Sequence, residues 1–221
     1  MGQKVHPIGF RLGISRPYLS HWFASKKNYS EYLLEDTLLR QTLYQRYKYT
    51  GIERIEIFRK VETHLEIKII AKKRNNLIGP KRKNLIFLKK EIKKIIASKK
   101  KVILSIFKTS SEKFISANSI IDFLVNLLEK RTPYRVVLNK FFKEKNLNSI
   151  EGLKIQISGR LNGAEIARKH WIRRGRLPLQ TLQANIDYCF KKAQTIYGVL
   201  GIKVWVFQEK KKNVSTKKSK I

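Results

Sequence analysis

Apolar positions along this chain repeat with two different periods. "IERIEIF" and "THLEIKIIA" alternate apolar and polar residues, which predicts two strands with Glu62 and Thr63 in a tight connection. Upstream, Leu39, Leu43 and Tyr47 recur every four residues within "NYSEYLLEDTLLRQTLYQRYKY" and predict a helix. Asn28 and Glu31 stand at capping-box spacing near its start, and Gly51 ends it. A basic loop, "KKRNNLIGPKRK", leads to a helix over Asn84–Ser98 and a third strand, "KVILSIF". The order α-β-β-loop-α-β closes one unit near residue 108.

The second half opens with "TSSEKFIS", which reads as a linker. "ANSIIDFLVNLLEK" predicts a helix interrupted at Pro133, and a second helix covers Tyr134–Lys145. "LKIQISG" alternates as a strand. A helix carrying Arg168 to Arg174 is expected next, then strands in "LQANIDYCF" and "YGVLGIKVWVF". The last strand sets Ile202, Val204 and Val206 on one face and Lys203, Trp205 and Phe207 on the other. The expected fold class is α/β (α+β) in two domains, 17–108 and 117–207, each a small sheet with helices. An extended basic arm, 1–16, precedes them, and a disordered Lys-rich tail, 208–221, follows.

Charge changes what this fold is for. The 221 residues include 49 Lys+Arg against 16 Asp+Glu, a net charge of +33, while 42% are hydrophobic. The chain can bury a core, yet its charges repel one another, and that repulsion is relieved when a polyanion supplies counter-charge. Nucleic acid is the first expectation and an anionic membrane surface the lesser one. No apolar run is long enough to span a bilayer, and the opening "MGQKVHPIGF" lacks a signal-peptide core, so no membrane association is expected. One cysteine, Cys189, permits no intramolecular disulfide, implies a reducing compartment and is read as a core residue. Four scattered histidines show no ligand spacing, and there is no Walker loop or paired-carboxylate motif. No metal, no cofactor and no enzymatic activity are therefore expected.

Lysine outnumbers arginine 34 to 15, and isoleucine far exceeds alanine, a skew that AT-rich codon usage produces. Arginine is then the informative cation, because its rigid fork grips phosphate bidentately. Five of the 15, Arg160, Arg168, Arg173, Arg174 and Arg176, lie within 17 residues. On helical spacing, Ala164, Ala167 and Trp171 share one face of this stretch while Lys169 and Arg173 share another. Either it is a solvated charged face over a core anchored by Trp171, or it is a phosphate-gripping ridge. The crowding favours the ridge. Trp171 is read as core, with base stacking as the alternative.

"GRLNGAEIARKHWIRRGRLPLQTLQANIDY" resembles the signature of the S-three family of small-subunit ribosomal proteins. Gly159-Arg160, "GAEIAR", Trp171, Arg173, Gly175-Arg176 and "IDY" at 186–188 carry that likeness. "MGQKVHPIGFRLGI" and "YGVLGIKVWVF" are similar to the family's opening and final strand. The "IDYC" and "IYGVLGIKVW" wording looks like plastid members. An AT-rich bacterial cytoplasm stands as the alternative to the chloroplast stroma.

The resemblance implies a type II KH domain followed by a second α/β domain, in a protein that sits as a monomer in the head of the small subunit. The partners it implies are small-subunit rRNA, mRNA, and the tenth and fourteenth proteins of that subunit. The rRNA contacts would be Lys4, Arg11, Arg160, Arg168, Lys169, Arg173, Arg174 and Arg176. Arg131, Arg135 and Lys140 would face incoming mRNA, although Val136 and Asn139 replace residues that are commonly basic. The KH loop corresponds to "IGPKRK": Gly79 is present, Arg82 stands where the second glycine belongs, and Pro80 removes a donor. Lys81, Arg82 and Lys83 would meet phosphate there, or the loop is a basic surface with no bound strand. A free-standing KH-type RNA regulator is the alternative function.

Overall fold

A computed structural model describes residues 4–61, 64–96, 101–108, 116–144 and 150–208, and divides the chain into two compact α+β units. Pro17–Glu112 form one; Met1–Arg16 and Lys113–Ile221 form the other. The expected connection at Glu62–Thr63, most of the linker and nearly all of the tail lie outside the described residues.

In the Pro17–Glu112 unit a sheet runs in the order β1-β2-β3-β4, with β1 at Ser20–His21, β2 at Ile52–Val61, β3 at His64–Ala71 and β4 at Lys101–Lys108. β2 and β3 are antiparallel, whereas β1 joins β2, and β4 joins β3, in parallel. Alternation decides the faces: Leu65, Ile67, Ile69 and Ala71 are fully buried, and the residues between them are not. Helix α1 (Lys26–Arg46) lays Leu39 and Leu43 on this core, and α3 (Lys83–Ile95) adds Leu88 and Ile92. The two-residue β1 has no periodicity to read and was not foreseen. Helix α1 also starts earlier than expected, with Ser25 at the N-cap, so Asn28 lies in the first turn and caps nothing.

The expected basic loop is partly helical. Arg74–Ile78 form a short helix, α2, and Pro80–Arg82 a 3-10 turn. Gly79 has φ 67 and ψ 173, a region open essentially only to glycine, and Arg82 is left-handed at φ 61 and ψ 17. A side chain at such a φ is strained, so Arg82→Gly is expected to stabilise this unit by about 0.5–1 kcal/mol. A urea midpoint that falls in this variant would show that the Arg82 side chain contributes more than its backbone costs.

The other unit has helices α4 (Ala117–Glu129) and α5 (Tyr134–Glu144) on one face of a sheet ordered β6-β5-β8-β7. These strands are β5 (Gly152–Gly159), β6 (Arg168–Gly175), β7 (Ile186–Thr195) and β8 (Gly198–Phe207), all antiparallel to their neighbours. Ile120, Ile121, Leu124, Phe141, Ile155, Ile157, Ile202, Val204 and Val206 meet in the core, as the alternation in the last strand required. Ser116 Oγ caps α4 by accepting from Ser119 N, and Asp187 accepts from Ala117 N at 2.8 Å.

Two expectations fail here. Arg168–Gly175 is a strand and not a helix, hydrogen-bonded along its length to β5 from Gly152↔Gly175 to Gly159↔Arg168. Its i, i+4 matches were coincidental; an edge strand that buries little carries almost no hydrophobic signal to contradict them. Nor is the N-terminal arm extended. Residues Gly9–Arg11 form a 3-10 turn, and the arm folds against the second unit.

Candidate nucleic-acid interface

Pairing β6 on β5 sorts the arginine cluster by side. Lys154, Gln156 and Ser158 of β5 alternate away from the helices, and the register places Arg173, Trp171 and Lys169 beside them. β8 continues the rows with Trp205, Lys203 and Gly201, and β7 with Tyr188, Phe190 and Lys192. Three rows cross the sheet: Arg173-Lys154-Trp205-Tyr188, Trp171-Gln156-Lys203-Phe190 and Lys169-Ser158-Gly201-Lys192. None of these twelve positions is acidic. Arg168 and Arg174 alternate to the other side of β6 and are exposed, at the two ends of a side whose middle residues, His170 and Ile172, are partly buried.

Cations and rings interleave on this face. The Lys154 ammonium lies 5.2 Å from the rings of both Trp171 and Trp205, and Lys203 lies 6.0 Å from Phe190. Burial depresses the Lys154 pKa, and the charges of Lys4 and Arg173 lower it further. The arm thus brings Lys4 to this face, while His6 sets its ring edge-on to Tyr188 at 4.7 Å. Such crowding of like charge is relieved by an anion.

At the end of β6 two backbones nearly touch. Gly175 has φ 74, and a Cβ there would stand 1.9 Å from the Glu151 carbonyl oxygen; one on Gly152 would stand 1.6 Å from that of Arg176. Only paired glycines allow this crossing, which turns the exposed Arg176 out of the sheet and lets its N–H donate to Glu151 O at 3.2 Å. Arg173 donates from Nε to Gly175 O, and Arg160 from Nε to Ala164 O; both are exposed.

Two site expectations change. Arg11 is completely buried: its guanidinium donates to the carbonyls of Pro7, Pro178, Leu179, Thr181 and Ala184 at 2.8–3.4 Å. Burial and then the charge of Arg16 lower its pKa, yet arginine stays charged. It is a structural cation and leaves the phosphate inventory. Trp171 is 58% exposed and therefore is not the core anchor. Cys189 packs at the core edge, where burial foremost, with the Asp187 and Asp122 carboxylates, pushes its thiol to about 11 against the pull of Lys191.

The other expected residues lie apart from this face. Arg131, at φ 63, occupies the turn between α4 and α5. Arg135, which donates to Tyr134 Oη at 3.2 Å, and Lys140 are exposed on α5. Tyr134 meets His170 at 5.2 Å, which ties the start of α5 to the helix side of β6. Gly79, Lys81, Arg82 and Lys83 belong to the other unit, between α2 and the start of α3. Sequence reasoning missed Lys154, Lys203 and Lys192 as partners of the cluster. Their alternation with core residues was visible, but the pairing of β5 with β6 and β8, and of β8 with β7, was not. Among the described residues, no three His, Cys, Asp or Glu gather to hold a metal, and no helix is long and apolar enough to cross a membrane.

Two small α+β units, one with a sheet face whose twelve positions include no acid, have the character of a nucleic-acid-binding protein. Residues 124–206 match the family model for the C-terminal domain of ribosomal protein S3. Over 211 residues the chain is 45% identical to the small ribosomal subunit protein uS3c of Ostreococcus tauri, covering 96% of this chain and 99% of that one. It is 43% identical to that of Cyanophora paradoxa, covering 94% of each, and 41% identical to that of Physcomitrium patens, covering 96% and 100%. The chain belongs to the uS3c family, the chloroplast-type small ribosomal subunit proteins, which are structural and not enzymes.

Proposed function

We propose that the chain is fastened to small-subunit rRNA in the head of a plastid ribosome through the cations of β6 and its turn. Arg160, Arg168, Lys169, Arg173, Arg174 and Arg176, joined by Lys4, form the phosphate-gripping array. One observation carries this reading: an exposed edge strand concentrates cations beside a sheet face that has no acid. Arg131, Arg135 and Lys140 stand on a separate exposed surface suited to mRNA on its way in. The Pro17–Glu112 unit is read as a type II KH domain, supported by its α1-β2-β3-α2-α3-β4 order and by the paired positive φ values of Gly79 and Arg82. The tenth and fourteenth proteins of the subunit are the proposed neighbours, with one copy of this chain per particle in the chloroplast stroma.

Neutralising both Arg173 and Arg176 tests the array. The slope of log affinity against log salt for rRNA is expected to become shallower by about 0.7–0.9 for each lost phosphate contact. A slope identical to that of the unaltered protein would remove both residues from the array.

A further inference from the structure

The exposed rings on the cationic face are not explained by phosphate contacts, which need no aromatic surface. Trp171 is 58% and Phe190 46% exposed, on opposite margins of one row with Gln156 and Lys203 between them. Strand spacing sets them about 14 Å apart. Beside that row the sheet is low, because Ser158 and Gly201 are its central residues; a Cβ on Gly201 would come within 3.1 Å of Ser158 Oγ. Lys169 and Lys192 close the two ends of this trough.

Resting on the rRNA-binding reading above, we propose that this face is a stacking platform for a single-stranded RNA segment, with unpaired bases on Trp171 and Phe190. Charge complementarity selects the occupant. A protein partner with apolar contacts would strip water from Lys154, Lys169, Lys203 and Arg173 with no acid on this face to compensate them. A single strand supplies both things the face lacks: phosphates for the cations and flat apolar rings for the indole and the phenyl. A duplex supplies only phosphates, since its bases already cover one another. Lys154, between the two indoles, is placed to meet the phosphate that links neighbouring bases.

The test uses the full chain with a fluorescein-labelled oligouridylate and an RNA duplex of equal length, each titrated at several salt concentrations. Trp171→Ala is expected to weaken oligouridylate binding about 10-fold with an unchanged salt slope, to leave duplex binding within about 2-fold, and to be rescued by Trp171→Phe. Its unfolding midpoint should stay near that of the parent, as an exposed ring requires. Equal binding of oligouridylate by the Ala variant, or equal losses on both RNAs, would overturn the platform while leaving the phosphate array in place. A photo-crosslinker at position 171 that captures a protein and not rRNA in assembled subunits would overturn it as well. Failure of the parent chain to bind either RNA would instead overturn the rRNA reading, and the platform with it.

Discussion

Replacing Arg11 by Ala is expected to lower the stability of the unit it anchors by about 3–5 kcal/mol, seen as an early urea transition in the fluorescence of Trp171 and Trp205. The guanidinium is wholly buried and donates to five backbone carbonyls from two separate segments, Pro7 in the arm and 178–184 in the loop before β7. Each charged hydrogen bond contributes about 1.5–3 kcal/mol, but carbonyls near the surface regain water once the side chain is gone, so the losses do not sum. Arg11→Lys should recover only part, because one ammonium cannot reach five oxygens in the directions a planar fork can. The salt slope for rRNA should not change in variants measured where they remain folded. A shallower slope would return Arg11 to the phosphate contacts.

Replacing Arg59 by Met should destabilise the Pro17–Glu112 unit by a similar amount, about 3–5 kcal/mol, because it removes the cation that the buried Glu35 and Asp36 carboxylates share. Arg59 bonds Glu35 and Asp36 at 2.6 Å each and lies over the Tyr32 ring. Burial works against its charge, but hydrogen bonds to Asp36 and Glu35 and their negative charges hold its pKa above the ordinary value. Asp36 also accepts from Ser20 Oγ and Trp22 Nε1, and Arg40 donates to Leu19 O and Ser20 Oγ. This network fixes β1, a strand too short to hold itself. Adding Glu35→Gln to Arg59→Met should restore part of the loss, since one of the two buried negative charges is then removed. Urea titration followed by circular dichroism checks both variants. A loss below about 1 kcal/mol in the single variant would show that water reaches the pair.

The parts of the fold that were legible are those where one face of an element is buried along its whole length. β3 and β8 announce themselves because Leu65, Ile67 and Ile69, and Ile202, Val204 and Val206, alternate with residues facing the other way. Helix α4 is equally plain. β6 was misread for the opposite reason. Only His170 and Ile172 are partly buried and the rest of the strand is exposed, so the charges that made the stretch conspicuous also hid its period. The short β1 is held by the Asp36 and Arg40 contacts, which come from the middle of the helix that follows it, 16 and 20 residues from Ser20.

Composition and period, which belong to the chain itself, were enough for the charge, the two α+β halves and the concentration of arginine near residue 170; the family likeness rested on the wording of its motifs. Tertiary structure alone decided which cation meets solvent: Arg11 is drawn in by carbonyls more than 160 residues away, while Trp171, expected inside, stands out on the sheet. Burial is set by what folds against a residue, and that depends on pairings between distant segments that no local pattern encodes.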